Sequence, residues 1–173
     1  MEPTRFETRQ ITLLGMGFFG DPFRISGGWT EENEIGRLWS RFTAYLAAHG
    51  EQIHHAAEPG VAYELHVPHD ESERTGEYEV FVGVEVSRLD DVPLHLSAKI
   101  LPPATYAVFS LQGDQIAGDW WQDVYAAWMP AAGYESAGGH VLERYDQRFK
   151  GMDRLSESTI EIYLPVRQVA CAS

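Results

Sequence analysis

The sequence predicts an α+β fold in which two β-α-β-β units, each with one main helix, pair about a pseudo-two-fold axis. Three observations support this fold class. Six apolar segments have the length and composition of strands, two segments carry apolar residues at helical spacing, and these elements occur in the same order twice. We expect a single domain over residues 1–173, with one unit at about 5–88 and the other at about 98–168.

The first unit begins with an apolar strand at 11–19, which its glycines are expected to weaken or bulge. A helix is predicted from Thr30, because Glu31 and Glu32 then occupy the first turn, where the helix dipole favours acidic side chains. Apolar residues recur at helical spacing as far as Leu46, and Gly50 is a plausible end of the helix.

The remaining elements complete the first unit and then repeat its order. In chain order, they are strands at Ala62–Val67, 78–86 and 105–111, a helix at about 116–130 closed by Gly133, and strands at 141–146 and 159–166. The two prolines of "LPPA", before the strand at 105–111, suit a sheet edge or a connection.

The two units align at a nearly constant offset. Trp39 falls on Trp121 and residues 81–84 fall on 163–166 at an offset of 82, while Gly50 falls on Gly133 at 83. One such unit cannot bury the faces of its sheet and helix well, so the two are expected to pair. An unrelated four-stranded, ferredoxin-like unit is the alternative.

The charge balance bounds the possible partners. The chain has 26 acidic and 13 basic residues and a net charge of −13, which disfavours binding to the phosphate backbone of nucleic acids. The same acidity favours cationic ligands or a basic protein partner, or serves solubility alone.

The expected location is the cytoplasm. The single cysteine, Cys171, cannot form an internal disulfide, which fits a reducing compartment, and a catalytic role is not expected so close to the C-terminus. The N-terminus lacks the features of a secretion signal, and no apolar run approaches the length of a membrane span, so no membrane association is expected.

Motif searches predict neither a metal site nor a cofactor. The seven histidines have no metal-binding spacing: His54 and His55 would point to opposite sides of an extended chain, and Pro68 interrupts the pair His66 and His69. The stretch "GMGFFG" has the spacing of a dinucleotide-binding loop, but it lies inside an apolar strand and does not open a helix.

The strand at 141–146 raises the question of what Glu143 faces. Alternation places Val141, Glu143 and Tyr145 on one face, and a buried carboxylate without a partner costs several kcal/mol. Glu143 is therefore solvated, or paired, for instance with Arg167, or it awaits a positive ligand. On the last strand, Glu161 shares a face with Tyr163 and is either a lining residue or a solvated carboxylate.

Five phrases resemble the GyrI-like family, the small-molecule-binding domain that also forms the effector-binding half of AraC-type and MerR-type multidrug regulators. They are "YEVFVGVEV", "ILPPATYAVFSLQG", "WMPAAGYE", "LERYD" and "SESTIEIYLPV", in that family's order and spacing. The resemblance implies a duplicated β-α-β-β fold whose curved antiparallel sheet surrounds an aromatic cleft between the halves. It also implies a cation-binding glutamate at the base of the cleft, which corresponds to Glu143, and a stand-alone member without a DNA-binding helix-turn-helix.

The aromatic residues supply candidates for the cleft lining, because flat rings stack on ligands and hold cations over their faces. Ligand-binding residues are predicted to be Glu143 together with Tyr63, Phe109, Trp120, Tyr145 and Tyr163. Four other aromatic residues, at helical spacing, are predicted to belong to the core: Trp39, Phe42, Trp121 and Trp128.

Two functions from different classes compete. The first is a binding protein that senses or sequesters amphipathic, cationic or aromatic small molecules, with Glu143 giving charge selectivity. The second follows from the resemblance, since some stand-alone members hydrolyse cyclopropanoid antibiotics. Glu143 would then be the catalytic base, with Tyr145 or Tyr163 as the phenol that donates to the substrate. A weaker alternative is a module that binds gyrase or another basic protein.

Overall fold

A computed structural model describes residues 1–28 and 30–169, so Cys171 lies outside the described residues. The strands are β1 (Arg5–Gly20), β2 (Ala62–Val67), β3 (Tyr78–Glu85), β4 (Ser97–Gln112), β5 (Tyr134–Ser136), β6 (Val141–Tyr145) and β7 (Thr159–Gln168). The α-helices are α1 (Glu34–His49), α2 (Ser72–Thr75), α3 (Trp120–Gln122) and α4 (Met129–Ala131), with a π-helical segment, Asp123–Trp128, joining the last two. Short 3₁₀ turns occupy Gly50–Gln52, Gly113–Gln115 and Met152–Glu157.

The strands form a closed antiparallel ring. Their order is β4-β1-β3-β2-β6-β7-β5, and an additional pairing of β4 with β7 joins the two sides of the sheet. Two pairings connect the halves, β1 with β4 and β2 with β6, and each joins strands that occupy equivalent positions in the two units. A two-fold relation requires such pairing of like elements. The predicted α+β class and curved antiparallel sheet are confirmed.

The ring consists of β1, β2, β3, β4, β6 and β7, while β5 pairs only with β7. Its closure separates a core inside the ring from cores outside it. All six ring strands contribute to a buried interior cluster that contains Leu65, Leu142 and Tyr163. Outside the ring, α1 packs through Leu38 and Phe42 on the first unit, while the segment from α3 to α4 packs on the second unit. Among the described residues, no helix has both the length and the apolar character needed to cross a bilayer.

Helix α1 begins later than the prediction from Thr30. Its N-cap is Asn33, whose side-chain oxygen accepts a hydrogen bond from the Gly36 amide at 2.9 Å. The Thr30 hydroxyl accepts instead from the Glu32 amide at 3.2 Å, in a local turn. Both residue types cap helices well, so sequence alone did not distinguish the two starts. The predicted end at Gly50 is confirmed.

Strands β1 and β4 are longer than predicted, at 16 residues each. They stay paired through a bulge, because Arg9 lies opposite Ala104 while Ile11 lies opposite Leu101. Two residues, Pro102 and Pro103, therefore face one residue of β1, and prolines suit a bulge because they have no amide hydrogen to donate.

The glycines of β1 do not interrupt it. Gly15 lies opposite Gly83, and a Cβ built at Gly15 would stand 2.0 Å from the carbonyl oxygen of Val82. The glycine therefore permits a close approach of β1 to β3, since any side chain there would collide with backbone.

Candidate functional site

A cavity of about 530 Å³ opens outside the ring, where β2 of the first unit pairs with β6 of the second. Its walls come from the segment before α1, from α1 itself, from β2 and β6, and from the loop after β6. Its lining includes Trp39, Glu64, His66, Glu143, Tyr145 and Phe149. The site thus lies at the junction of the two halves.

The polar base of the cavity results from strand register. Glu64 of β2 is the direct cross-strand partner of Glu143 of β6, and both face outward from the ring. Alternation adds His66 on β2 and Tyr145 on β6 to the same face. Two carboxylates are thereby placed opposite each other, an arrangement that is unfavourable when both are charged. Their residues are only 5% and 8% exposed, respectively.

Each carboxylate is oriented by one aromatic donor. The Tyr145 hydroxyl donates to Oε2 of Glu143 at 2.5 Å, and the indole nitrogen of Trp39 donates to Oε2 of Glu64 at 2.5 Å. The two donors touch, because the Trp39 and Tyr145 rings meet edge to face with centroids 5.0 Å apart. Phe149 packs on Tyr145 at the same centroid distance.

Oε1 of each carboxylate is turned toward His66. Nε2 of His66 lies 2.8 Å from Oε1 of Glu64 and 3.8 Å from Oε1 of Glu143. Neither approach has the geometry of a hydrogen bond, and Nε2 is buried without a hydrogen-bond partner. Among the described residues, no arginine or lysine forms an ion pair with Glu64 or Glu143.

The environment shifts the ionisation of this group. Burial, followed by the charge of Glu64, raises the pKa of Glu143, although His66 and the Tyr145 hydrogen bond act in the opposite direction. Burial alone lowers the pKa of His66, but the carboxylates of Glu64 and then Glu143 outweigh it, so the net shift is upward. Burial and the Glu143 charge raise the pKa of Tyr145 well above its usual value. A positive charge would therefore be stabilised here.

A second cavity, of about 320 Å³, lies beside the first. His66 and Glu143 line both cavities, so these side chains form the boundary between them. The walls of the second cavity are mainly aromatic and include Tyr78, Trp120 and Tyr125. Glu143 therefore borders two cavities, each with aromatic walls.

The predicted site residues fall into four locations. Glu143 and Tyr145 line the larger cavity together, and Trp120 joins Glu143 at the smaller one. Tyr63 and Tyr163 lie inside the ring, on the opposite face of the sheet.

Phe109 also lies away from both cavities. It is fully buried in the core beneath the second helical segment, where its ring meets that of Trp128 edge to face at 5.1 Å.

The charged residues of β6 and β7 have other partners than the sequence suggested. Arg167 contacts Glu135 at 2.6 Å, and thus does not neutralise Glu143. Glu161 is not a solvated carboxylate, since it is buried and binds Arg5 at 2.9 Å inside the ring. The hydroxyl of Tyr163 accepts a hydrogen bond from the same arginine at 2.7 Å.

Two of the four aromatic residues predicted as core are placed otherwise. Phe42 and Trp128 are buried as expected, but Trp39 lines the larger cavity and Trp121 is 48% exposed beside the smaller one. Helical spacing shows which side chains share a face, but not whether that face meets a cavity or the core.

Glu64 and His66 are the polar residues of the site that sequence reasoning missed. Both were available as alternate residues of the strand "AYELHV", which was correctly placed at Ala62–Val67. An acidic residue between apolar neighbours on a strand was the signal, as it was for Glu143. What could not be read was the pairing of this strand with β6 of the other half.

The chain matches known proteins over most of its length. Residues 7–166 match the Cass2 family of integron-associated effector binding proteins, which is of GyrI-like type. The chain is 29% identical over 163 residues to the transcriptional regulator BrlR of Pseudomonas aeruginosa. That alignment covers 92% of this chain and 53% of BrlR, so the chain spans about half the length of this curated relative.

Solved structures share the fold over nearly the whole chain. SAV2435, in its structure bound to tetraphenylphosphonium, is similar with a TM-score of 0.67 and 17% identity, covering 96% of this chain and 94% of the other. The integron cassette protein VCH_CASS2 of Vibrio cholerae is similar with a TM-score of 0.58 and 20% identity, covering 94% and 95%. At these identities, the likeness establishes the fold.

Proposed function

Since the chain belongs to the Cass2 family of integron-associated effector binding proteins, of GyrI-like type, we propose that it binds aromatic organic cations in the cavity between its halves. The observation that carries this proposal is the pair Glu64 and Glu143. Two buried carboxylates face each other at the base of an aromatic cavity, and His66 is the one basic side chain beside them among the described residues.

Among the described residues, no arginine or lysine compensates the charge of these two carboxylates. Desolvating two like charges at adjacent positions is costly, and it favours either protonation of one of them or a positive ligand. Trp39 and Tyr145 hold the carboxylates by their Oε2 atoms, so the charges cannot turn away toward solvent. A cation that enters the cavity meets negative charge already oriented, and little reorganisation is needed.

The apolar walls supply affinity for the rest of the ligand. A volume of about 530 Å³ lies within the roughly 300–1,000 Å³ range of small-molecule sites. Trp39, Tyr145 and Phe149 present ring edges and faces, which suit stacking and cation–π contact. Tetraphenylphosphonium is an appropriate probe, since SAV2435, which shares the fold, was solved bound to it.

The test compares a cation with a neutral compound of related shape. Calorimetric titration should show tetraphenylphosphonium and planar cationic dyes binding with dissociation constants on the order of micromolar, one per chain. Triphenylphosphine oxide, which is aromatic but uncharged, should bind at least about tenfold more weakly. Equal affinity for the two classes would show that the carboxylates do not select charge, and the proposal would fail.

Cation binding should strengthen as the pH rises. Burial and the Glu64 charge raise the pKa of Glu143 to about 7, so this carboxyl becomes neutral below that pH and ionised above it. Protonated His66 adds repulsion at low pH, in the same direction. Tetraphenylphosphonium affinity should fall about 30-fold from pH 8.5 to 5.5 in buffer with a metal chelator. Triphenylphosphine oxide, titrated in parallel, should show little change; a flat profile for the cation would contradict the assignment.

The geometry also favours a second candidate, hydrolysis of a cyclopropanoid substrate. Glu143 and Tyr145 form a hydrogen-bonded carboxylate–phenol pair on the cavity wall, and the shift in the pKa of Tyr145 keeps the phenol protonated. Ionised Glu143 would take a proton from water as its oxygen attacks the cyclopropane carbon. The ring C–C bond breaks and its electrons reach the conjugated carbonyl oxygen of the substrate, which becomes a phenolate. For this step the Tyr145 hydroxyl turns from Oε2 of Glu143 and donates its hydrogen bond to that oxygen.

A further inference from the structure

We propose that Glu64, His66 and Glu143 form a binding site for one divalent transition-metal ion of the kind that accepts nitrogen and oxygen ligands, such as Zn²⁺. One ligand atom from each residue lies within 4.8 Å of the other two. The ligands come from β2 and β6, two paired strands of a closed ring, so their separation is set by the sheet rather than by mobile loops. The site goes beyond the proposed binding of organic cations but shares its carboxylates.

The three free atoms converge because the other carboxylate oxygens are occupied. Trp39 binds Oε2 of Glu64 and Tyr145 binds Oε2 of Glu143, which leaves both Oε1 atoms directed toward Nε2 of His66. In metal sites, hydrogen bonds of this kind orient the ligating carboxylates and preserve their geometry. The two aromatic donors thus already provide the outer contacts that a metal site needs.

The environment of the His66 imidazole also favours a bound ion. Its Nε2 atom is buried and lies 2.8 Å and 3.8 Å from the Oε1 atoms of Glu64 and Glu143, but it forms a hydrogen bond with neither. A buried polar atom without a partner costs about 1–3 kcal/mol, so such atoms are rare in folded proteins. A metal ion bound to Nε2 would satisfy this atom and both Oε1 atoms at once.

The distances suit a small transition-metal ion. Ligands about 2.0–2.1 Å from a tetrahedral Zn²⁺ ion are roughly 3.3 Å from one another. The distances from Nε2 to the two Oε1 atoms, 2.8 and 3.8 Å, lie on either side of that value. Two carboxylates balance the charge of the ion. An imidazole ligand and only three protein ligands are unfavourable for Ca²⁺ and Mg²⁺, which prefer more oxygen ligands.

The fourth position of such an ion would face the larger cavity. Three protein ligands with one open position are typical of zinc sites that bind an exchangeable ligand, whereas structural sites use four. The metal and an organic cation would compete, since both require the same carboxylates. Zn²⁺ and tetraphenylphosphonium are therefore expected to displace each other.

The experiment titrates Zn²⁺ into tag-free, chelator-treated protein in competition with a chromophoric chelator. We expect one Zn²⁺ per chain, and Co²⁺ should give the intense visible d–d bands of a tetrahedral site. His66→Gln should weaken Zn²⁺ binding at least about 100-fold, because it removes a ligand. The same change should strengthen tetraphenylphosphonium binding, since a positive neighbour of the carboxylates is lost. His69→Gln, at an exposed histidine outside the site, is the matched control and should leave Zn²⁺ binding unaltered.

Tyr145→Phe provides a variant that keeps all three ligands. It removes only the hydrogen bond to Glu143, and Zn²⁺ affinity should fall by roughly 10–100-fold, the usual effect of losing an outer contact. The site is disproved if the folded wild type shows no saturable 1:1 binding, or if His66→Gln and His69→Gln behave alike. Should Zn²⁺ bind through His66 while tetraphenylphosphonium does not bind, the proposed function fails and the metal site stands; the reverse result removes only the metal site.

Discussion

Replacing both carboxylates, Glu64→Gln with Glu143→Gln, should weaken tetraphenylphosphonium binding by about 3 kcal/mol, or roughly 150-fold at 25 °C. Glutamine keeps the size of each side chain and an oxygen that can still accept from Trp39 or Tyr145. What is lost is the charge that faces the ligand in a desolvated site. Glu143→Gln alone should cost about 1–3 kcal/mol, because Glu64 remains. Triphenylphosphine oxide should bind the double variant nearly as well as it binds the wild type.

Thermal unfolding separates loss of charge from loss of shape. The double variant removes a like-charge cross-strand pair, so its unfolding midpoint at pH 8.5 should be equal to or higher than that of the wild type. The matched control is Glu51→Gln with Glu157→Gln, which removes two negative charges from exposed positions. If the cation and the neutral compound lose affinity together, the glutamates hold the pocket in shape and do not select charge.

The sequence could predict much of the fold because its strand and helix signals were strong and repeated. The element order, the curved antiparallel sheet and the alternation on β6, which places Glu143 beside Tyr145, are all present in the structure. Alternation also correctly placed Glu161 with Tyr163 on one face of β7. The two assignments of residues to a strand face depend only on neighbours along one strand.

The positions that sequence could not assign depend on closure of the ring. Whether Tyr63 and Tyr163 face the cavity or the interior is decided by the pairing of β4 with β7, which no local pattern reveals. In the same way, Glu64 and His66 join Glu143 only through the register of β2 with β6 across the two halves. The alternation of side chains along a strand determines which residues share a face. The pairing of strands that are distant in sequence determines whether that face contacts the core, a cavity or solvent.

If the second candidate function holds, Glu143→Gln should lower turnover of a cyclopropanoid substrate by roughly 10²–10⁴-fold, the usual contribution of a positioned acid or base. The variant keeps an acceptor for the Tyr145 hydroxyl but cannot take a proton from water. Binding of the uncharged substrate should survive, so the loss should appear in kcat more than in KM. Mass spectrometry of the product should show addition of one water by the wild type.

The two tyrosines provide a matched pair for the same reaction. Tyr145→Phe removes the phenol that contacts Glu143 and should reduce kcat, whereas Tyr163→Phe changes a hydroxyl bound to Arg5 inside the ring and should leave kcat near the wild-type value. If the wild-type protein binds the substrate but does not alter it, the binding function is supported and hydrolysis is not. If Glu143→Gln turns over substrate at the wild-type rate, Glu143 is not the base, because the amide of glutamine cannot accept a proton from water.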